Sequence, residues 1–263
     1  MNRLKESLKK LVALMEDLRG PDRCPWDLVQ THASLKQYLV EEAYEVLDAI
    51  DSNDTEKLKE EFGDLFFQII FHCQIAAENG DFDISDVVDV IYEKMIRRHP
   101  HVFAEGRLKK PEEVIAQWHK IKASEYANTN DDSVLAGVPK HLPSLQKALK
   151  VQKKASRVGF DWSKREDVFE KVEEEIRELK NSLISKDPDA INDEFGDLLF
   201  TIVNLSRFLE LNPEESLQNS TNKFIKRFRA MEKESKVNQK AFESLSPEEM
   251  NVLWTKIKKT DES

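Results

Sequence analysis

Apolar residues recur three and four positions apart along most of this chain, and nowhere do they alternate over a useful length. Leu4, Leu8, Leu11, Met15 and Leu18 form one such stripe, broken throughout by charges, which predicts a helix up to Leu18. A PDRCPWD turn follows, then a helix through EEAYEVLDAI, an SNDT break and a helix through EEFGDLFFQIIFHCQIAAE. An NGDFD turn leads to a further helix ending near RRHP, where Pro100 and its neighbours stop it. Helices joined by breaks this short lie antiparallel and side by side. The expected fold class is all-α.

The pattern is written twice. EFGDLFFQ begins at Glu61 and EFGDLLFT at Glu194, 133 positions on. EEAYE (Glu41, Glu42, Glu45) and EEIRE (Glu174, Glu175, Glu178) keep that offset, as do Asp64 and Asp197. Trp26 pairs with Trp162 and Trp118 with Trp254 at 136, and Lys94 and Arg98 pair with Lys223 and Arg227 at 129. Small drifts around a conserved order are what loop insertions do to a duplicated domain. Tandem helical bundles are therefore expected at 1–122 and 145–263. The stretch 123–144, rich in Asn, Asp and Pro with a Gly, reads as the linker.

Charge narrows the partners. With 263 residues and a net charge of −10, nonspecific binding to nucleic acid or an anionic membrane is disfavoured. No apolar run approaches eighteen residues, so no membrane span is expected. Cys24 and Cys73 form no CxxC pair, which fits a reducing, cytoplasmic setting. Any anionic small molecule bound among so many carboxylates calls for a divalent cation.

The spacing then becomes chemistry. Glu42 and Glu45 share one helical face, and Glu61 and Asp64 share a face of the next helix across the SNDT hairpin. Glu175, Glu178, Glu194 and Asp197 repeat this across SKDPDA. Four converging carboxylates repel unless a cation joins them, and all-oxygen ligation favours Mg²⁺, Mn²⁺ or Ca²⁺ over Zn²⁺. A di-iron centre would need Glu-x-x-His elements, and here Glu45, Asp64, Glu178 and Asp197 hold the fourth place. A single ExxE in so charged a chain is a solvated helix face; the duplicated doublet with ExxD is more than that. Gly63 and Gly196 each cost a helix about 1 kcal/mol relative to Ala. They imply a close approach there by a neighbouring helix, a ligand or a metal's outer shell. Lys94 and Arg98, and Lys223 and Arg227, are four apart, the arrangement expected of cations that hold polyphosphate oxygens, or of ordinary surface charge. Trp118 and Trp254 are core anchors or stack on a base, while Trp26 and Trp162 roof a pocket or cover the bundle.

EEAYE…EFGD and EEIRE…EFGD, with CPWD, RRHPHVF and GFDW, resemble the MazG nucleoside triphosphate pyrophosphohydrolases over essentially the whole chain. The resemblance implies an all-α homodimer that uses Mg²⁺, with Mn²⁺ as substitute, to hydrolyse nucleoside triphosphates to the monophosphate and pyrophosphate. It implies metal ligation by Glu175, Glu178, Glu194 and Asp197, with Glu42, Glu45, Glu61 and Asp64 as a second set. It implies nucleotide binding by Lys171, Glu174, Lys223, Arg227, Trp254 and Lys258, with Lys122. Glu174, Glu175 or Glu194 would act as general base. The resemblance also implies that the second repeat is the catalytic one, with the first mainly structural, and Pro100, which truncates the helix carrying the first repeat's basic pair, points the same way. Two other readings compete: a noncatalytic nucleotide- or metal-binding dimer acting on a partner protein, and a narrower dUTP or phosphoribosyl-ATP hydrolase. Wide apolar runs such as LFFQIIFHC add indirect support for a dimer.

Overall fold

The computed structural model describes residues 2–104, 108, 110–126, 133–237 and 241–261. The chain divides into two compact units, Met1–Ala123 and Ser124–Ser263. Among the described residues there is no β-strand, as the unbroken helical periodicity implies. Residues 127–132 of the expected linker lie outside the described residues.

The first unit holds α1 (Asn2–Leu18), the short α2 (Pro25–Leu28), α3 (Lys36–Ser52), α4 (Thr55–Asn79), α5 (Ile84–Arg98), the one-turn α6 (Pro100–Phe103) and α7 (Pro111–Tyr126). Thus α7 runs to Tyr126, into the stretch read as linker. In the second unit stand α8 (Ser144–Ser156), α9 (Arg165–Ser185), α10 (Pro188–Phe208), α11 (Pro213–Val237) and α12 (Pro247–Asp261), with a 3₁₀ turn at Phe242–Ser244 before α12.

Both carboxylate hairpins are built by the same local device. Asn53 and Lys186 take left-handed φ values of 54° and 58° and close α3 and α9. The next residue, Asp54 or Asp187, caps the following helix: Asp54 accepts from the amides of Glu56 and Lys57, Asp187 from those of Asp189 and Ala190. The tight reversal lays α3 against α4 and α9 against α10. It thereby sets each EExxE face opposite an ExxD face.

The interiors differ. In the first unit Met15, Leu35, Ile70, Phe71 and Ile75 form a buried apolar cluster between α1, α4 and the residue before α3. Arg19 closes it, donating to Glu78 and to the carbonyls of Asp27 and Gln30, with its guanidinium 5.4 Å from the Phe71 ring centroid. The second unit's buried residues include Val168, Val203 and Met231, but also Gln152, Glu175, Thr201, Ser206 and Arg227.

Candidate active site

α9 and α10 supply the site. Glu175 on α9 is only 4 % exposed, and Glu175, Glu194 and Asp197 can each offer an oxygen within 4.8 Å of the others. Glu178, one turn along α9, is exposed and lies outside that trio, although its charge still acts on Glu194. Glu42, Glu45 and Glu61 form the matching trio in the first unit, and Asp64 stands outside it. The repulsion expected from the spacing is present. Partial burial first, then the charges of Glu178, Glu175 and Asp197, push the Glu194 carboxyl above the usual range. Burial, then Asp64 and Glu45, do the same to Glu42.

Lys171 sits one turn before the α9 carboxylates and bonds Glu174 at 2.6 Å and Glu175 at 2.8 Å. Its hydrogen bonds to Glu174 and then Glu175 hold the ammonium well above the ordinary lysine range. Glu174 is correspondingly held below the usual carboxylate range by the Lys171 hydrogen bond. In the repeat, Tyr38 stands 133 positions before Lys171. There it packs against the apolar cluster and makes an edge contact with Trp26. Only the second trio therefore carries this cation.

Glu175, Asp197 and Lys171 open on a cavity of about 840 Å³ in the second unit, walled partly by Phe160, Trp162 and Phe200. So Trp162 borders this cavity, while Trp26 is half exposed and packs edge-on against Tyr38. The remaining expected nucleotide residues lie elsewhere. Lys223 and Arg227 are on α11 and Trp254 and Lys258 on α12; none lines this cavity. Arg227 is 8 % exposed and bonds Asp261 at 3.0 Å, and Trp254 packs on Phe224. Lys122 is on α7 in the first unit. In that unit Arg98 and His99, at the end of α5, pack on Trp118.

The glycine expectation needs correcting in part. A Cβ at Gly63 or Gly196 would meet nothing within 4 Å, so no neighbouring helix of the described chain crowds either position.

The sequence reading missed Gln152, Asn204 and the Asp161–Arg207 pair. Asn204 was findable, since it stands at the repeat position of Phe71; Gln152 carried no such signal on its lysine-rich helix.

Residues 30–103 and 164–231 match the MazG nucleotide pyrophosphohydrolase domain. The chain belongs to the MazG family. It is 46 % identical over 255 residues to the Thermotoga maritima nucleoside triphosphate pyrophosphohydrolase/pyrophosphatase MazG, covering 97 % of each chain. It is 40 % identical to an Escherichia coli K12 nucleoside triphosphate pyrophosphohydrolase, over 97 % of this chain and 98 % of that one. A 46 % match to the Bacillus subtilis protein YabN covers 95 % of this chain but 51 % of that protein. The two MazG segments contain the two carboxylate hairpins.

Proton competition at the second hairpin gives the first prediction. Glu194 keeps its proton to a higher pH than an ordinary glutamate, and a cation bound there must displace it. Apparent Mn²⁺ affinity, measured by calorimetry, is expected to fall up to about tenfold per pH unit below that raised value. Affinity independent of pH down to the range of an ordinary glutamate would remove Glu194 from the ligand set.

Proposed function

We propose that this chain hydrolyses nucleoside triphosphates to the monophosphate and pyrophosphate with a divalent cation, Mg²⁺ with Mn²⁺ as substitute, and that the second unit performs the reaction. One observation carries this reading. The second trio joins a buried Glu175, a lysine bonded to it and a cavity of nucleotide size. The family membership supplies the reaction class.

The donor set fits the cation: three carboxylate oxygens within 4.8 Å, with neither His nor Cys among them. Glu175, Glu194 and Asp197 would hold it, with Glu178 next to them. The bound cation supplies neutralisation of triphosphate charge. Lys171 holds Glu174 and Glu175 in place by its two short hydrogen bonds. Glu174 is a weaker base than Glu194, because the Lys171 hydrogen bond lowers its proton affinity while burial and neighbouring carboxylates raise that of Glu194. Glu175 and Glu194 remain to take the proton of the water that attacks the α-phosphorus.

A homodimer completes the reading. On α4, Phe62, Phe66 and Ile69 form an exposed stripe, and Phe195, Leu199 and Ile202 repeat it on α10. Stripes of this kind mark association surfaces, and Gly63 and Gly196 leave room beside them. The acidic balance disfavours nucleic acid as a partner, no described helix is long and apolar enough to cross a membrane, and the cytoplasm remains the proposed setting.

Product analysis tests the reaction. Purified protein with a panel of nucleoside triphosphates is expected to release pyrophosphate with Mg²⁺ and nothing with EDTA. Orthophosphate as first product would refute cleavage at the α-phosphate. Binding without turnover would select the noncatalytic module. Turnover confined to dUTP or phosphoribosyl-ATP would select the narrower hydrolases.

A further inference from the structure

Gln152 is 6 % exposed, and its Nε2 donates to the Phe200 carbonyl at 2.8 Å. A carbonyl only accepts, so that bond fixes the amide orientation and leaves Oε1 as the other end. Oε1 is buried with no hydrogen-bond partner, a state that costs about 1–3 kcal/mol unless something answers it. Gln152 lines the same cavity as Glu175 and Asp197.

Asn204 lines the same cavity. Its Oδ1 accepts from Arg207 Nε at 3.1 Å and Nη2 at 2.8 Å, and Arg207 is itself anchored on Asp161, with Nη1 at 2.8 Å from Oδ2. Asn204 is thus oriented as firmly as Gln152, with its amide NH₂ left to donate. Two residues with oriented amides therefore line a cavity whose wall also carries the aromatic rings of Phe160, Trp162 and Phe200 beside aliphatic Val134, Val151 and Val158, with Gln152 Oε1 held just beneath its surface.

The first unit fills the corresponding place differently. There α1 lies against α4 as α8 lies against α10. Asn204 is replaced by Phe71 at the repeat offset, and the α1 side of the contact is made by Met15. Both are essentially buried, with Arg19 capping the Phe71 ring. An apolar plug in one copy stands against a polar pair and an open cavity in the other.

We propose that the second-unit cavity takes the nucleobase of the substrate, with a base N–H donating to Gln152 Oε1 and an adjacent ring nitrogen or carbonyl accepting from Asn204 Nδ2. This rests on the pyrophosphohydrolase reading of the neighbouring carboxylates. The aromatic rings in the wall suit a planar base, and Glu175 and Asp197 in the same lining would hold the phosphates beside it. Gln152 is then a specificity residue: it selects for a base edge that carries a donor, because a base without one leaves Oε1 unanswered.

Binding of monophosphates to the full chain tests this without turnover. AMP is compared with purine riboside monophosphate, which lacks only the exocyclic amine, and UMP with 3-methyl-UMP, which lacks the ring N–H. Calorimetry on wild type should show the parent favoured by about tenfold or more in at least one pair. Gln152→Met should abolish that preference. Asn204→Phe, which restores the first unit's residue, should weaken monophosphate binding about tenfold or more while inorganic triphosphate with Mg²⁺ binds as before. No discrimination by wild type, or discrimination kept in Gln152→Met, overturns the proposal. Should Asn204→Phe fail to fold by circular dichroism, Gln152→Met decides alone. A base preference without NTP turnover would retain the pocket and reject the hydrolase; turnover without the preference would do the reverse.

Discussion

Glu175→Gln is expected to lower kcat for nucleoside triphosphate hydrolysis by about a thousandfold or more, the scale of losing a group that acts in the transition state. Glu42→Gln, its repeat counterpart, should stay within about threefold of wild type. The two glutamates sit at the same place in the same hairpin, so the contrast comes from their surroundings. Glu175 is nearly inaccessible, is bonded to Lys171 and borders the cavity. Glu42 is not fully buried, and Tyr38 stands where Lys171 would be. The glutamine keeps the shape of the side chain and removes its charge, so lost activity reports chemistry rather than collapse. Steady-state pyrophosphate release, with melting curves alongside, decides the matter. Equal losses in both variants would mean that both units work. A loss only in Glu42→Gln would transfer the reaction to the first unit.

The second large effect concerns the first unit's closure. Arg19→Met is expected to destabilise the protein by about 3 kcal/mol, toward the lower end for a broken buried pair because Glu78 keeps partial contact with water. The Arg19 side chain is 6 % exposed and that of Glu78 35 %. Methionine retains much of the packing against Phe71 but removes every donor, leaving the carbonyls of Asp27 and Gln30 without this partner. A drop of roughly 10 °C in Tm by calorimetry of the full chain matches that cost. The pair also sets a pH response. Hydrogen bonds from Arg19 hold Glu78 below the usual carboxylate range. Its contribution is therefore complete above the unfolded carboxylate's range and is lost as pH falls through the lowered native value. Arg19→Met should flatten that acid limb. A Tm unchanged within about 2 °C would show the clamp to be a surface pair of little weight.

The closed first unit and the open second one also explain how a duplication can diverge while its carboxylates persist. The acidic pattern is held by four positions on two helices, and both copies keep them. The cavity depends on the helix that precedes the hairpin and on one position deep in α10. Phe71 and Asn204 differ at one repeat position while the hairpin's acidic residues stay the same.

The all-α fold, the duplication and the opposed carboxylate faces were legible in the sequence, because each follows from local rules. Apolar spacing sets helices, and the short breaks around Asn53–Asp54 and Lys186–Asp187 fold them back. Three- and four-residue spacing then places acids on one face. Tertiary structure decided the rest, because it depends on which residues from distant helices meet. Burial of Glu175, the narrowing of each foursome to a trio and the capture of Arg227 by Asp261 have no signature in spacing. Nor does the unanswered oxygen of Gln152, which becomes visible only when α8 lies against α10 and the Phe200 carbonyl claims the other end of its amide.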